Sequence, residues 1–355
     1  MTEEQLREFS INEIVHDFKA ILDCLQICAY NKVNADIFQG FNPYLCSFVY
    51  SGYKYLEEKK VISGIGDIDF KKKVDKSRSK FLKQYVKFNE GTYKRLNKFN
   101  HDEYIKFFRK YNPNSYPFIT KEVNNYNIAS INNKPIDNYH LSSSILCCEI
   151  GSYIDDITPN VELFIYQMTS FIVQILVAAH VEPANCTQII LFPKVKYNDI
   201  NMAHSYKNFG IKNNPPILMA FLDILCTVNS YNEVFVKINS NDRFDLKVKY
   251  LILFISVIGL KEVVKFCRKS NFELPIDGDF EEFITQTDQT YCRSKIRNYC
   301  AHYGYKEIDW ESDPIVEVFE KNFNKPIGEI SDDLSKQLLK LSDYLNKFVI
   351  KVPLP

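Results

Sequence analysis

A chain of 355 residues with 46% hydrophobic side chains carries enough apolar surface for a large core, which excludes intrinsic disorder and points to two domains. Lys plus Arg equals Asp plus Glu at 44 each, so overall charge singles out no class of partner. Ten Cys fall at apolar positions without a Cys-x-x-Cys pair, and six His are scattered, so buried thiols are expected and neither a metal nor a cofactor. The N-terminus, Met1 to Gln5, is polar and acidic where a secretory signal is basic and then apolar, which makes a cytoplasmic location the expectation.

Apolar residues at helical spacing run through most of the chain. Ser10-Ile11-Asn12-Glu13 reads as a capping box opening a helix that carries Ile14, Phe18, Leu22 and Leu25. Asn42-Pro43 opens a second, with Leu45, Phe48, Val49, Tyr53 and Leu56, running toward Lys60. After Gly64 and Gly66 a long basic helix starts near Asp67, and a shorter one is expected from Asp102 to Tyr111. From Asn114 to Tyr139 Pro, Asn and Ser dominate. That stretch is the expected domain boundary, with room for a small hairpin.

Helical pattern resumes at Leu141 and restarts after Thr158-Pro159. Leu163 to Ala179 carries no charge and approaches the length of a membrane span, but Gln167, Thr169, Ser170 and Gln174 interrupt it, so a core helix is expected and no membrane contact. The pattern breaks between Pro183 and Pro216, with one strand expected at 188–192. Pro215-Pro216 opens a helix through Val234, and Asp242 opens one carrying Leu251, Ile252, Ile255 and Phe266. A further helix starts near Asp279, an acidic stretch spans Glu307 to Asp313, and a last amphipathic helix covers Ser331 to Val349. The expected fold is all-α: a multi-helix bundle with an N-terminal helical domain over 1–135 and a second over 136–355.

Chemistry concentrates in Arg297-Asn298-Tyr299-Cys300-Ala301-His302, late in a helical pattern. His moves a proton near neutral pH, Arg holds a phosphate as negative charge builds on it, and Asn orients either through its amide. At about 100° per residue Asn298 and His302 are an i, i+4 pair on one face, while Ile296, Cys300 and Tyr303 form an apolar stripe on another. Gly304 is the expected helix stop. An ordinary amphipathic helix with a surface Arg and a half-buried His fits the same pattern. A second Arg-to-His spacing, Arg95 to His101, has Leu96 after the Arg, and Asn100-His101-Asp102-Glu103 reads instead as a capped helix start.

The Arg-Asn-x-x-x-His run resembles the signature of the HEPN ribonucleases, and the succession of long helices over about 215–349 resembles their four- or five-helix unit, with the motif on the next-to-last helix. Such enzymes cut single-stranded RNA without a metal, the ribose 2′-hydroxyl attacking its own phosphate. The resemblance implies that His302 moves protons, Arg297 stabilises the charged phosphorane and Asn298 holds the His or the phosphate. One motif per chain, where the family's cleft uses two, implies a homodimer. HEPN toxins controlled by a nucleotidyltransferase antitoxin commonly carry Tyr two positions beyond the His, where this chain has Gly304. The run looks closer to abortive-infection proteins and to the RNA-cutting effectors of type VI CRISPR systems. A defence or toxin system is therefore the implied context, with an antitoxin or defence-system partner. No βαβ alternation of a nucleotide-sensing domain is present.

The basic segment fits RNA as well. Between Lys71 and Lys110 fourteen Lys and Arg face four Asp and Glu, an excess of ten. Lys71, Lys72, Lys73, Lys76, Arg78, Lys80, Lys83 and Lys87 interleave with Phe81, Tyr85 and Phe88, offering charge for phosphates and rings for bases. A solvated helix whose rings are core reads equally well. The alternative to an enzyme is a catalytically inactive RNA- or protein-binding subunit of the same shape.

Overall fold

The computed structural model describes residues 2–31, 35–86, 88–94, 128–138, 153–183, 186–192, 194–198, 200, 207–212, 214–305 and 313–352, except the side chains of 35–36, 80–86 and 153–162. The expected helix at 102–111, the Arg95–His101 pair and Lys87 lie outside them. The fold is all-α with one small sheet.

Helix α1 (Glu3–Tyr30) starts earlier than the Ser10 box predicts. Thr2 caps it, accepting from Gln5 N at 3.2 Å while its own N–H donates to Gln5 Oε1 at 2.8 Å. Ser10 sits mid-helix, its hydroxyl donating back to Leu6 O. After the short α2 (Ala35–Gln39), α3 (Asn42–Glu58) has Pro43 in its first turn and is buried along most of its length. Two left-handed glycines, Gly64 and Gly66, lead into the basic helix α4 (Ile68–Val86).

The hairpin exists: β1 (Ile128–Ile131) and β2 (Lys134–Asp137) are antiparallel, joined by Asn132 and Asn133, both in the left-handed region that a two-residue turn requires. Residue 135, the expected domain boundary, lies within β2, and β2 packs on the helix opened by Pro215. The third strand is β3 (Lys196–Asn198), paired with β1, and not 188–192. There the backbone is engaged by Asn31, the residue that ends α1, which bonds Gln188 O and Ile190 N; just before it Gln26 of α1 accepts from Cys186 N.

Helix α5 (Tyr153–Ala178) runs unbroken through Thr158-Pro159, so the expected restart there is wrong. Met168, Phe171, Ile172, Ile175 and Leu176 are buried while Tyr166 and Val177 face out, which makes it one-faced. Among the described residues no helix is long and apolar enough to cross a membrane.

Two helices with most of their residues buried form the centre. Helix α6 (Pro215–Ser230) is buried all round and continues through a π-helical turn, Tyr231–Phe235, to Ile238. Helix α7 (Asp242–Lys269) is capped by Asn241 and packs against α3, α4 and α6.

The expected motif helix is in fact two. Helix α8 (Gly278–Tyr291) ends, and α9 (Ser294–Ala301) begins after Cys292 and Arg293. The buried Tyr250 hydroxyl fills the break, accepting from Arg293 N at 3.0 Å and lying within 3.0 Å of the carbonyl oxygens of Tyr291 and Arg293. Two helices follow, α10 (Pro314–Phe323) and α11 (Ile327–Val349), so the motif lies on the third helix from the end of the described fold and not the next to last. Helix α11 also begins earlier than Ser331. One continuous apolar cluster runs from Ile14 to Val349.

Candidate functional site

Helix α9 is amphipathic over barely two turns. Ile296 and Cys300 are buried against α7, Arg297 is half-buried and Asn298 exposed. The helix stops at Ala301, and His302 has extended backbone, φ −138° and ψ 144°, although its N–H still reaches Asn298 O at 2.9 Å. His302 is therefore not the helical face-mate of Asn298, and the helix-angle argument for the pair fails. Gly304 is not the stop either, since its backbone is not left-handed. The reason is the two-residue period of extended chain: His302 and Gly304 point out while Tyr303 and Tyr305 point in. The stripe of Ile296, Cys300 and Tyr303 is buried as expected.

The inward residues are held firmly. Tyr303 Oη donates to Asp17 Oδ2 at 2.6 Å, and the Tyr305 ring stacks on Tyr299 with centroids 5.4 Å apart. Asp17 belongs to a buried ionic cluster. Lys247 Nζ lies 2.5 Å from both Glu13 Oε1 and Asp17 Oδ2, Arg243 Nε donates to both Glu13 oxygens at 2.9 Å, and the Arg243 guanidinium also pairs with Asp313, the cap of α10. Burial alone would raise the Asp17 carboxyl, but the Lys247 charge, the nearby His16 ring and the hydrogen bonds from Lys247 and Tyr303 outweigh it and hold it below the usual carboxylate value. Burial would lower Lys247; Asp17 and Glu13 reverse that and keep it charged. Glu13, His16 and Asp17 bring ligand atoms within 4.8 Å of one another, as a metal requires, yet the Lys247 ammonium already sits on both carboxylates.

The outward face is different. Among the described residues Arg297 has no carboxylate partner, and its guanidinium lies 5.9 Å from the Phe254 ring centroid. The His302 ring stands below the ordinary imidazole value, first because it is partly desolvated, then because Arg297 and Arg78 add positive charge. No hydrogen bond joins the Asn298 amide to His302 among the described residues, which leaves that amide free for a ligand.

Of the basic segment, Lys72 and Lys73 are exposed on α4, with Lys72 3.2 Å from Asp69, and Lys76 is half-buried. Lys71 turns inward, 2.5 Å from Glu57 and over the Tyr53 ring, which neutralises its charge. Arg78 is also drawn in, against Tyr50. The side chains of Lys80 and Lys83 are outside the described set. Phe88 is half-buried and packs on Phe266 and Tyr93, so it serves the core.

No disulfide joins the described cysteines; Cys24, Cys28, Cys46, Cys226, Cys267 and Cys300 are buried. Burial pushes the Cys28 thiol up to about 12, out of reach of thiolate chemistry. The ionic cluster escaped sequence reading, although a signal existed. Glu13 and Asp17 stand i, i+4 beside the apolar Ile14 and Phe18, and Arg243 and Lys247 repeat that spacing with opposite sign on a second apolar helix. Comparison of the chain with protein-family models, curated proteins and solved structures finds no match.

Proposed function

We propose that the protein is a metal-independent endoribonuclease of HEPN type, cutting single-stranded RNA in prokaryotic antiviral defence or as a toxin, in the cytoplasm. His302 takes the proton of a ribose 2′-hydroxyl as its oxygen bonds to phosphorus, and the imidazolium so formed returns a proton to the departing 5′-oxygen as the P–O5′ bond breaks. The products are a 2′,3′-cyclic phosphate and a 5′-hydroxyl. Arg297 stabilises the phosphorane and Asn298 hydrogen-bonds a phosphate oxygen. The active species is a homodimer bringing two such sites together.

One observation carries this reading: His302 stands in the open near Arg297, which has no carboxylate partner among the described residues, and its pKa is lowered, so that the ring is neutral at pH 7 and able to accept a proton. Cleavage therefore declines as pH falls through a value below that of ordinary imidazole, because the base becomes protonated. Labelled single-stranded RNA incubated with the protein in EDTA tests it. Products ending in cyclic phosphate, reduced about 100- to 10,000-fold in His302→Ala, are expected. RNA bound but left whole by the unaltered protein points instead to the inactive binding subunit, and cleavage that needs a divalent ion rejects the mechanism.

A further inference from the structure

We propose that Arg78, on the basic helix α4, belongs to the same phosphodiester site as Arg297 and His302, so that one chain grips one phosphate between guanidinium groups from two different helices. Arg78 lies with Cζ 3.9 Å from the centroid of the Tyr50 ring on α3. Its Nη2 is 3.4 Å from Asp75, a loose contact, and its Nε is buried without a hydrogen-bond partner. An aromatic shelf restrains a guanidinium while leaving its edge donors to an anion.

Tyr50 is well placed to bring that cation to the motif. Helix α3 packs against both α4 and α9. Phe48, two residues before Tyr50, and Tyr303, next to His302, flank the same Lys247 ammonium at 5.7 and 5.8 Å. From the other side comes Arg297 on its own shelf, Phe254 of α7. Two arginines, each set against a ring on a different helix, thus add their charge at the His302 imidazole. The acidic groups nearby, Glu13 and Asp17 of α1, are committed to Lys247, Arg243 and Tyr303 behind the strand. Two cations gathered on one neutral ring repel until an anion lies between them. A phosphodiester carries one negative charge and gains more as a phosphorane, so a second guanidinium serves both binding and cleavage.

This rests on His302 as the proton-moving group, and the test separates the two ideas. A uridine dinucleotide with a 2′-O-methyl group, which cannot cleave itself, is titrated into protein with labelled His rings, and the His302 resonance is followed against pH. In the unaltered protein the bound diester raises the His302 pKa. Arg78→Ala should raise the pKa of the unliganded protein and weaken diester binding about tenfold, one charge-assisted hydrogen bond. An unchanged His302 titration with affinity kept within about twofold overturns the assignment. Should Arg78→Ala fail to fold, Tyr50→Leu removes the shelf alone and must weaken the same binding; unaltered affinity there is equally fatal. A protein that binds the diester in this way but leaves RNA intact loses the nuclease reading and keeps Arg78 in the site. One whose Arg78→Ala variant cleaves RNA at the original rate keeps the nuclease and loses Arg78.

Discussion

Residues 302 to 305 separate two charge systems that obey opposite rules. Behind Tyr303, Lys247 and Arg243 meet Glu13, Asp17 and Asp313 in a cluster whose inner members are buried, every cation within bonding distance of a carboxylate. In front, two arginines add positive charge at the His302 ring, and among the described residues Arg297 has no carboxylate. Burial demands that charge be compensated inside the protein, since water cannot do it. An exposed site can stay uncompensated by protein, because water and salt screen its charge. One extended segment is bolted to the first system through Tyr303 and presents His302 to the second.

The comparison is broken most severely by Lys247→Met. Removing the ammonium leaves Asp17 buried without its main counter-charge, and breaking a buried pair from one side costs about 3–5 kcal/mol. Urea unfolding should register that loss, and a change under about 1 kcal/mol would mean that the carboxylates are adequately served by Arg243 and Tyr303. The same cluster sets the acid limit. Asp17 is held below its unfolded value, so its contribution is present above the unfolded pKa and is lost as pH falls below about 4. Asp17→Asn should flatten stability in that window.

Tyr303→Phe is the gentler cut. It deletes the hydroxyl that donates to Asp17 and keeps the ring, with an expected cost of about 1–3 kcal/mol. It also frees the segment that carries His302, so RNA cleavage should slow while the shape of its pH profile persists. A shifted profile would show that Tyr303 acts on the His302 charge and not on its position.

The smallest effect on folding belongs to the outer face of α4. Lys72→Glu with Lys73→Glu should leave stability within about 0.5 kcal/mol, because both side chains are exposed. RNA affinity should fall and its salt dependence become shallower, as fewer phosphates are neutralised. Equal affinity and an equal salt slope would reduce α4 to a solvated helix with Arg78 as its one contribution.

Local pattern carried much of the architecture. The apolar spacing of Leu45, Phe48, Val49, Tyr53 and Leu56 specified α3, Asp242 marked the start of α7, and the Asn-rich stretch held the hairpin, because helix faces and turn residues are set by neighbours within a few positions. The burial of Ile296 and Cys300 was legible for the same reason, whereas Tyr303 is buried because the chain beyond Ala301 is extended. Only tertiary structure decided where helices break: the hydroxyl of Tyr250, some forty residues away in sequence, sits in the gap between α8 and α9. It likewise decided that the backbone around Gln188 is held by Asn31 and Gln26 and not by a strand. The Arg-Asn-x-x-x-His run was visible in one dimension, but the outward turn of His302 follows from extended backbone, and the seat of Arg78 on Tyr50 from the packing of α3 and α4. Charges more than two hundred residues apart, such as Glu13 and Lys247, pair because burial leaves them no other compensation, and no local pattern specifies which cation meets which carboxylate.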